Sequence, residues 1–327
     1  MPAPSLVTLG LVGFLALGLG ASALVTASQE NPTCDTVTGV TTAASLVEAT
    51  DIIGQAGPEI FFPTPLKTTG TERLTTREGS GLEAADGSAV DFHVTIMFGP
   101  TGEFIDSSWP DAETPARRVV DSESTDFFSR ELRCSKPGER IVFTSPVVEV
   151  FGPIEENEIV TNDSTVVLVV DVQRTFLATP DGSSALAARG LPQVVDHPDG
   201  FHGVSFPMSP PPAKLSVQTV ISGSGEPIAD GDRVVAHYTG VVWETQSVFS
   251  SSFDQNFPVT LVASDASAEG ATTGVIRGVY DSLIGQTVGS RVLAVIPPEV
   301  GYPAGQAPQG VPDGATLVYV FDILGIE

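Results

Sequence analysis

Residues 232–252 read DRVVAHYTGVVWETQSVFSSS. They describe a strand, a turn and a returning strand. Val234, Ala236 and Tyr238 alternate with Val235, His237 and Thr239, the period of two that a half-buried strand shows. Gly240 breaks the run and Phe249 anchors the return. A paler copy lies 144 residues upstream. At that offset Ala229-Asp230-Gly231 falls on Ala85-Asp86-Gly87, Gly223-Ser224-Gly225 on Gly79-Ser80-Gly81, and Phe206-Pro207 on Phe62-Pro63. His237 falls on His93, Ser251-Ser252 on Ser107-Ser108, and Phe253 on Trp109. Further on the offset becomes 151: Gly289-Ser290-Arg291-Val292 falls on Gly138-Glu139-Arg140-Ile141, Thr316 on Thr165 and Asp322 on Asp171. Constant offsets broken by one insertion are what a duplicated domain leaves. The period is too long for a solenoid, so two globular copies are expected.

The chain has 327 residues, a length that fits two domains, and 41% of them are hydrophobic, enough to build real cores. Its 33 Gly and 26 Pro point to many turns and a β-rich architecture. The net charge of −25 is dispersed: 25 acids and 10 bases up to residue 175, 15 and 5 beyond it. Such a surface keeps a protein soluble and repels phosphate backbones, so nucleic-acid binding is not expected.

Residues 6–27, LVTLGLVGFLALGLGASALVTA, carry no charge and are long enough to span a bilayer. Small residues at their end suit signal-peptidase cleavage, whereas the preceding MPAPS lacks the usual Lys or Arg. A cleaved signal peptide and a retained anchor both stay open, and the membrane is expected to be touched only through residues 1–27. Residues 28–58 form a polar lead-in with a short helix expected over 45–53. The first domain is placed at 59–177, with strands near 72–77, 90–98, 102–106, 139–143 and 165–172 and a helix within 125–133. Residues 178–200 read as a linker of small residues, Gly and Pro. The second domain is placed at 201–327, with strands near 215–221, 233–242, 248–251, 259–262, 290–296 and 316–324 and one helix near 279–285. Cys34 and Cys134 are the two cysteines. Behind an export segment they are expected to form one disulfide, the alternative being two free thiols.

With those elements in place, the second half resembles the FKBP-type peptidyl-prolyl cis-trans isomerases over about its last 125 residues. The residues that carry the resemblance are His237-Tyr238-Thr239-Gly240, Phe249-Ser250-Ser251-Ser252 and Val275-Ile276-Arg277-Gly278. After them come Val288-Gly289-Ser290-Arg291, Ile296-Pro297-Pro298-Glu299-Val300-Gly301-Tyr302 and Ala315-Thr316-Leu317-Val318-Tyr319. The resemblance implies an α+β fold: two tandem FKBP-like domains, each a twisted antiparallel sheet curled over one short helix. It implies conformational chemistry on X-Pro bonds, whose isomerisation barrier is about 18–20 kcal/mol. No cofactor and no metal are implied. A pocket lined by Tyr238, Phe249, Ser250, Val275, Ile276, Val279, Tyr302 and Tyr319 is implied. Within it the Ile276 N–H and the Tyr302 hydroxyl would bind substrate carbonyls, and Tyr238, Ile276 and Tyr302 carry catalysis. Four positions depart from the family pattern: Ser250 stands for an Asp, Val279 for a Trp, Val259 for an aromatic residue and Pro303 for a Gly. A wider pocket with less π surface follows.

The first copy loses this equipment. Tyr238 becomes Val94, Phe249 becomes Ile105, Tyr302 becomes Phe151 and Tyr319 becomes Leu168, while Val275-Ile276-Arg277-Gly278 has no counterpart. Asp106 alone keeps the acid that Ser250 replaces. His237 points away from Tyr238 and reads as structural. His197 and His202, with Asp196 and Asp199, read as a solvated turn more than as a surface metal site. Gly79-Ser80-Gly81 opens no helix, which sets dinucleotide binding aside. The expectation is an extracytoplasmic prolyl isomerase of a bacterial cell envelope, secreted or membrane-anchored, acting on proline-containing polypeptide clients through its second domain. The rival reading is a non-catalytic proline-peptide-binding module or chaperone, and a third is a structural envelope protein.

Overall fold

The computed structural model describes residues 42–51, 57–109, 114–185, 188–197, 201–302 and 305–327. Residues 1–27, Cys34 and Pro303 lie outside the described residues.

In the first half a 3-10 turn at Ala43–Leu46 leads into β1 (Glu48–Ala49) and β2 (Ile60–Phe61). Then come β3 (Glu72–Arg77), β4 (Ala89–Phe98), β5 (Glu103–Ser107), β6 (Ala116–Val119) and α1 (Phe127–Glu131). The half closes with β7 (Arg140–Pro146), α2 (Val147–Phe151) and β8 (Thr165–Thr175). The second half opens with β9 (Ser183–Ser184), β10 (Gln193–Asp196), β11 (His202–Ser205) and β12 (Ser216–Ser222). It continues with β13 (Arg233–Val242), β14 (Ser247–Ser251), β15 (Val259–Val262), α3 (Arg277–Leu283), β16 (Arg291–Ile296) and β17 (Leu317–Ile326).

The two halves repeat one topology. The first sheet runs β3-β7-β8-β4-β5 with β6 also on β4; the second runs β12-β16-β17-β13-β14 with β15 also on β13. All pairings within both sheets are antiparallel. The register repeats as well: His93 opposes Asp171 and His237 opposes Asp322.

The long strands alternate as their sequence requires, but both faces are covered. On one face of the second sheet Val234, Ala236 and Phe321 are buried together with Leu283 of α3. Burying a side chain the size of Leu283 or Phe321 contributes about 1.5–3 kcal/mol. Gly278 lets α3 sit close: a Cβ there would lie 2.3 Å from Ile296 Cγ2. The other face of the sheet carries Val241, Trp243, Leu293 and Val295, covered by Leu191, Val194 and Phe206. The first sheet is covered in the same way by Ala44, Val47 and Leu66.

The segment read as a linker, 178–200, is therefore part of the second lobe. β9 adds to the edge of β12, and β10 pairs β11 as a hairpin over the outer face. β1 and β2 make the corresponding hairpin before the first sheet. The helix expected over 45–53 does not form across residues 47–49, because Glu48 and Ala49 pair with Phe61 and Ile60 instead.

Buried polar groups repeat too. In the second half Arg291 makes two hydrogen bonds to Asp322, at 2.6 and 2.9 Å, and a further ion pair to Asp196. His202 Nε2 lies 2.9 Å from Asp322. His202 is thus a buried strand residue, not part of a solvated turn. In the first half Arg140 and Arg77 both bind Asp171, at 2.7 and 2.9 Å. His237 Nδ1 is 2.8 Å from Ser252 Oγ, with the ring stacked on Phe253; His93 repeats this with Ser108 and Trp109. Cys134 is disulfide-bonded.

Burial pushes the His237 imidazole down to about 4, with Asp322 opposing and His202 assisting. The unfolded chain, at the ordinary value of 6.5, binds the proton first. Stability is therefore full above pH 6.5 and falls as the pH drops toward 4. Urea midpoints measured across that window should fall with pH, and the slope should flatten in His237→Gln. An unaltered slope would show that His237 does not stay neutral in the fold.

The two sheets belong to one compact unit. Ala89 and Phe176 of the first pack on Val235 and Leu324 of the second. Arg117 on β6 binds Asp91 at 2.6 and 2.9 Å, reaches Thr260 at 3.0 Å and Glu327 at 2.7 Å, and lies over the Phe176 ring. Burial raises the Glu327 carboxyl, but hydrogen bonds from Thr260, Arg233 and Arg117 outweigh it and hold it at about 2.

Candidate active site

Alternation on β13 and β17 sends Tyr238, Tyr319 and Phe321 to the same face of the second sheet, since Tyr238 opposes Phe321 and Gly240 opposes Tyr319. Phe249 and Ser250 arrive on β14, while Val275, Ile276 and Val279 come from the approach to α3 and its first turn. Tyr302 follows the 3-10 turn at Pro298–Val300. All eight residues expected to line a pocket border one cavity of about 1030 Å³.

Gly240 makes room for the aromatic wall. A Cβ there would lie 2.7 Å from Phe249 Cζ and 3.1 Å from Tyr319 Cε1. Phe249 meets Tyr319 edge-on with ring centres 5.6 Å apart, and Tyr319 stacks on Phe321 at 5.2 Å. These are the separations that favour aromatic pairs.

The aromatic wall carries neutral hydroxyls, and Arg277 and Glu299 also stand among the lining residues of the cavity. The hydroxyls of Tyr302 and Tyr319 are 3.1 Å apart, and Tyr238 Oη is 2.6 Å from Ser250 Oγ. Burial pushes the Tyr319 phenol well above its ordinary value, with Tyr302 and Tyr238 adding to the shift, so it stays protonated. Ile276 is the residue before the first turn of α3, and its N–H has no acceptor among the described residues. Its place is fixed by Val275, whose N–H donates to Ser264 and whose carbonyl accepts from Ala266. Gly274 is required just before it: φ is +139°, and a Cβ would lie 2.3 Å from Ser264 O. Outside the apolar floor, Arg277 pairs with Asp281 at 2.8 Å and Asp265 at 3.2 Å.

Among the described residues the cavity holds no nucleophile paired with a base. It offers an aromatic wall, three phenol hydroxyls and one N–H donor. Sequence reasoning missed Phe321 and the role of Gly240. Phe321 lies two residues past Tyr319 on one strand, a spacing that puts both on one face. Gly240 shows its role only once its register opposite Tyr319 is known.

The first sheet is built differently at the same place. Ala236 and Ala294 are matched by Phe92 and Phe143, which are fully buried together with Phe127. Phe128 lies 5.0 Å from Phe92. Ile96 stands where the second sheet has Gly240, opposite Leu168. None of Val94, Leu168 or Val170 lines the groove that the first sheet does have.

The second lobe is thus an antiparallel sheet closed by one short helix over an aromatic cavity. The model of the family described as FKBP-type peptidyl-prolyl cis-trans isomerase matches residues 224–324. A probable FK506-binding protein of Corynebacterium glutamicum is 32% identical over 122 residues, covering 37% of this chain and 94% of that protein. Peptidyl-prolyl cis-trans isomerase FKBP2 of Mus musculus is 38% identical over 97 residues, covering 30% of this chain and 64% of that protein. A solved structure of the three FKBP domains of wheat FKBP73 covers 79% of this chain and 95% of that chain, at 16% identity and a TM-score of 0.33, too low to bear on architecture. The chain belongs to the FKBP-type peptidyl-prolyl cis-trans isomerase family and is an isomerase of X-Pro peptide bonds.

Proposed function

We propose that isomerisation takes place in the cavity of the second sheet, and that the first sheet is a non-catalytic copy of the same domain. The observation that carries this reading is the unequal fate of one place in the fold. In the second sheet it is an aromatic cavity with the Tyr302 hydroxyl and the Ile276 N–H at its rim. In the first it is filled by Phe92, Phe127 and Phe143.

The chemistry follows from the bond being turned. A planar X-Pro amide owes its barrier of about 18–20 kcal/mol to resonance. The twisted transition state has lost that resonance and is less dipolar, so an apolar cavity favours it over the planar ground state. The prolyl ring seats against Tyr238, Phe249, Val279, Tyr319 and Phe321. The Ile276 N–H and the Tyr302 hydroxyl donate to carbonyls of the substrate and hold the chain on either side of the turning bond.

The setting is extracytoplasmic, in a bacterial envelope or secreted, with proline-containing unfolded polypeptides as clients. Residues 6–27 and the bonded state of Cys134 support it, since disulfides persist in oxidising compartments. The rival reading, a proline-peptide binder without turnover, draws on Ser250, Val259 and Val279, which leave a wide cavity.

Loss of one neutral hydrogen bond costs about 0.5–1.5 kcal/mol, so Tyr302→Phe should lower kcat/KM about two- to twelvefold. Val94→Tyr in the first sheet should leave the rate unchanged. A parent chain no faster than buffer on an X-Pro peptide would leave the binder as the correct reading.

A further inference from the structure

The first sheet lacks the catalytic cavity but carries an apolar groove of about 370 Å³ next to where that cavity would open. Its walls are β5, α2 and the loop after α2. Ile105 stands in the place of Phe249, and Phe151 in the place of Tyr302. These side chains are not core residues: Ile105 is 44% exposed, Phe151 51%, Ile159 68% and Phe104 62%. Large apolar residues gathered in this way on a monomer mark an interaction site.

β5 itself is open. It ends the strand order of the first sheet, and among the described residues it pairs only with β4. Phe104 borders this groove and also a second one, of about 400 Å³, together with Phe61 and Met97. An unpaired strand edge with an apolar hollow on one side and a mixed one, lined also by Glu59, Thr95 and Ser107, on the other is a geometry that accepts an added strand. Backbone hydrogen bonds supply the affinity, and alternate side chains enter alternate hollows.

The rim selects the occupant. Glu103 lines the groove, and exposed Glu155, Glu156 and Glu158 lie on the loop between lining residues Ile154 and Ile159. Among the described residues none that lines the groove is basic. With a net charge of −25 a second copy of this chain is repelled, whereas a basic segment is attracted. We propose that β5 of the first sheet is a docking edge for extended segments of unfolded polypeptide with an apolar centre and basic flanks, independent of proline and of the catalytic cavity.

The test uses the full chain and two fluorescent proline-free peptides, KKLVLVLKK and EELVLVLEE, read by anisotropy at low and high salt. The basic peptide should bind at least about tenfold more tightly than the acidic one, a gap that narrows with salt. Ile105→Ser and Ile159→Ser should each weaken it about fivefold or more and leave X-Pro isomerisation unchanged, both sites being exposed. Gly240→Ile, in the other sheet, should leave peptide binding as it was. The proposal is overturned if neither peptide binds, if both bind alike, or if Gly240→Ile abolishes binding and the β5 variants do not.

Discussion

Replacing Gly240 with isoleucine is expected to abolish catalysis in a chain that still folds. The strand conformation at Gly240 suits any residue, but the space above it is taken. A Cβ would meet Phe249 Cζ at 2.7 Å and Cε1 at 3.0 Å, and Tyr319 Cε1 at 3.1 Å. Phe249 stands on an edge strand and borders the cavity, so it can swing into the opening, and the overpacking cost stays within about 1–3 kcal/mol. The cavity closes as a result. The first sheet shows that the substitution is compatible with the topology, because Ile96 already occupies this register opposite Leu168. We expect kcat/KM on an X-Pro peptide to fall about 100-fold or more, a loss of about 2.7 kcal/mol of transition-state stabilisation. Circular dichroism should match the parent. An undiminished rate would show that the aromatic cavity is not where the bond turns.

The second large effect is expected at Arg117. This guanidinium joins the two sheets: it is bidentate on Asp91 of β4, donates to Thr260 and Glu327 of the second sheet, and covers Phe176. Phe176 in turn lies where a Cβ on Gly325 would be, 2.5 Å from its ring. Arg117→Ala leaves the buried Asp91 carboxylate, among the described residues, with Arg174 as its one cationic partner, at 3.5 Å. Removing one partner of a buried ion pair costs about 3–5 kcal/mol, because the other charge is left uncompensated. We expect a loss near the lower bound, since Arg174 stays close. Urea unfolding should change from one transition to two as the sheets uncouple. A midpoint equal to the parent's would mean that the Ala89, Phe176, Val235 and Leu324 contacts alone hold the sheets together.

The fold was legible where alternation is long. β4, β8, β13 and β17 each run ten or eleven residues, and the sequence places them within a few residues of their observed ends. It was not legible where an element is short and stabilised by what it covers. β9, β10 and β11 have two to four residues each, and only their packing on Trp243 and Leu293 gives Leu191 and Val194 a reason to be apolar. α2 was missed because its five residues are too few to show a helical period and three of them are Val, a poor helix former. The site divides in the same way. Tyr238, Ile276 and Tyr302 stand in a recognisable pattern. Gly240 reads from sequence only as the end of a run, since its function is an absence of atoms opposite Tyr319. Phe92 and Phe143 look like ordinary core residues until they are laid over Ala236 and Ala294.

The four tyrosines of the chain permit the most direct test of the central claim. Tyr238, Tyr302 and Tyr319 border the cavity, whereas Tyr280 lies on α3 and does not. With tyrosine rings isotopically labelled, an X-Pro peptide should shift the signals of the three cavity tyrosines and leave Tyr280 in place. In the same sample the cis and trans signals of the peptide should broaden through accelerated exchange. Accelerated exchange with no shift at Tyr238, Tyr302 or Tyr319 would place catalysis elsewhere in the chain and contradict the account.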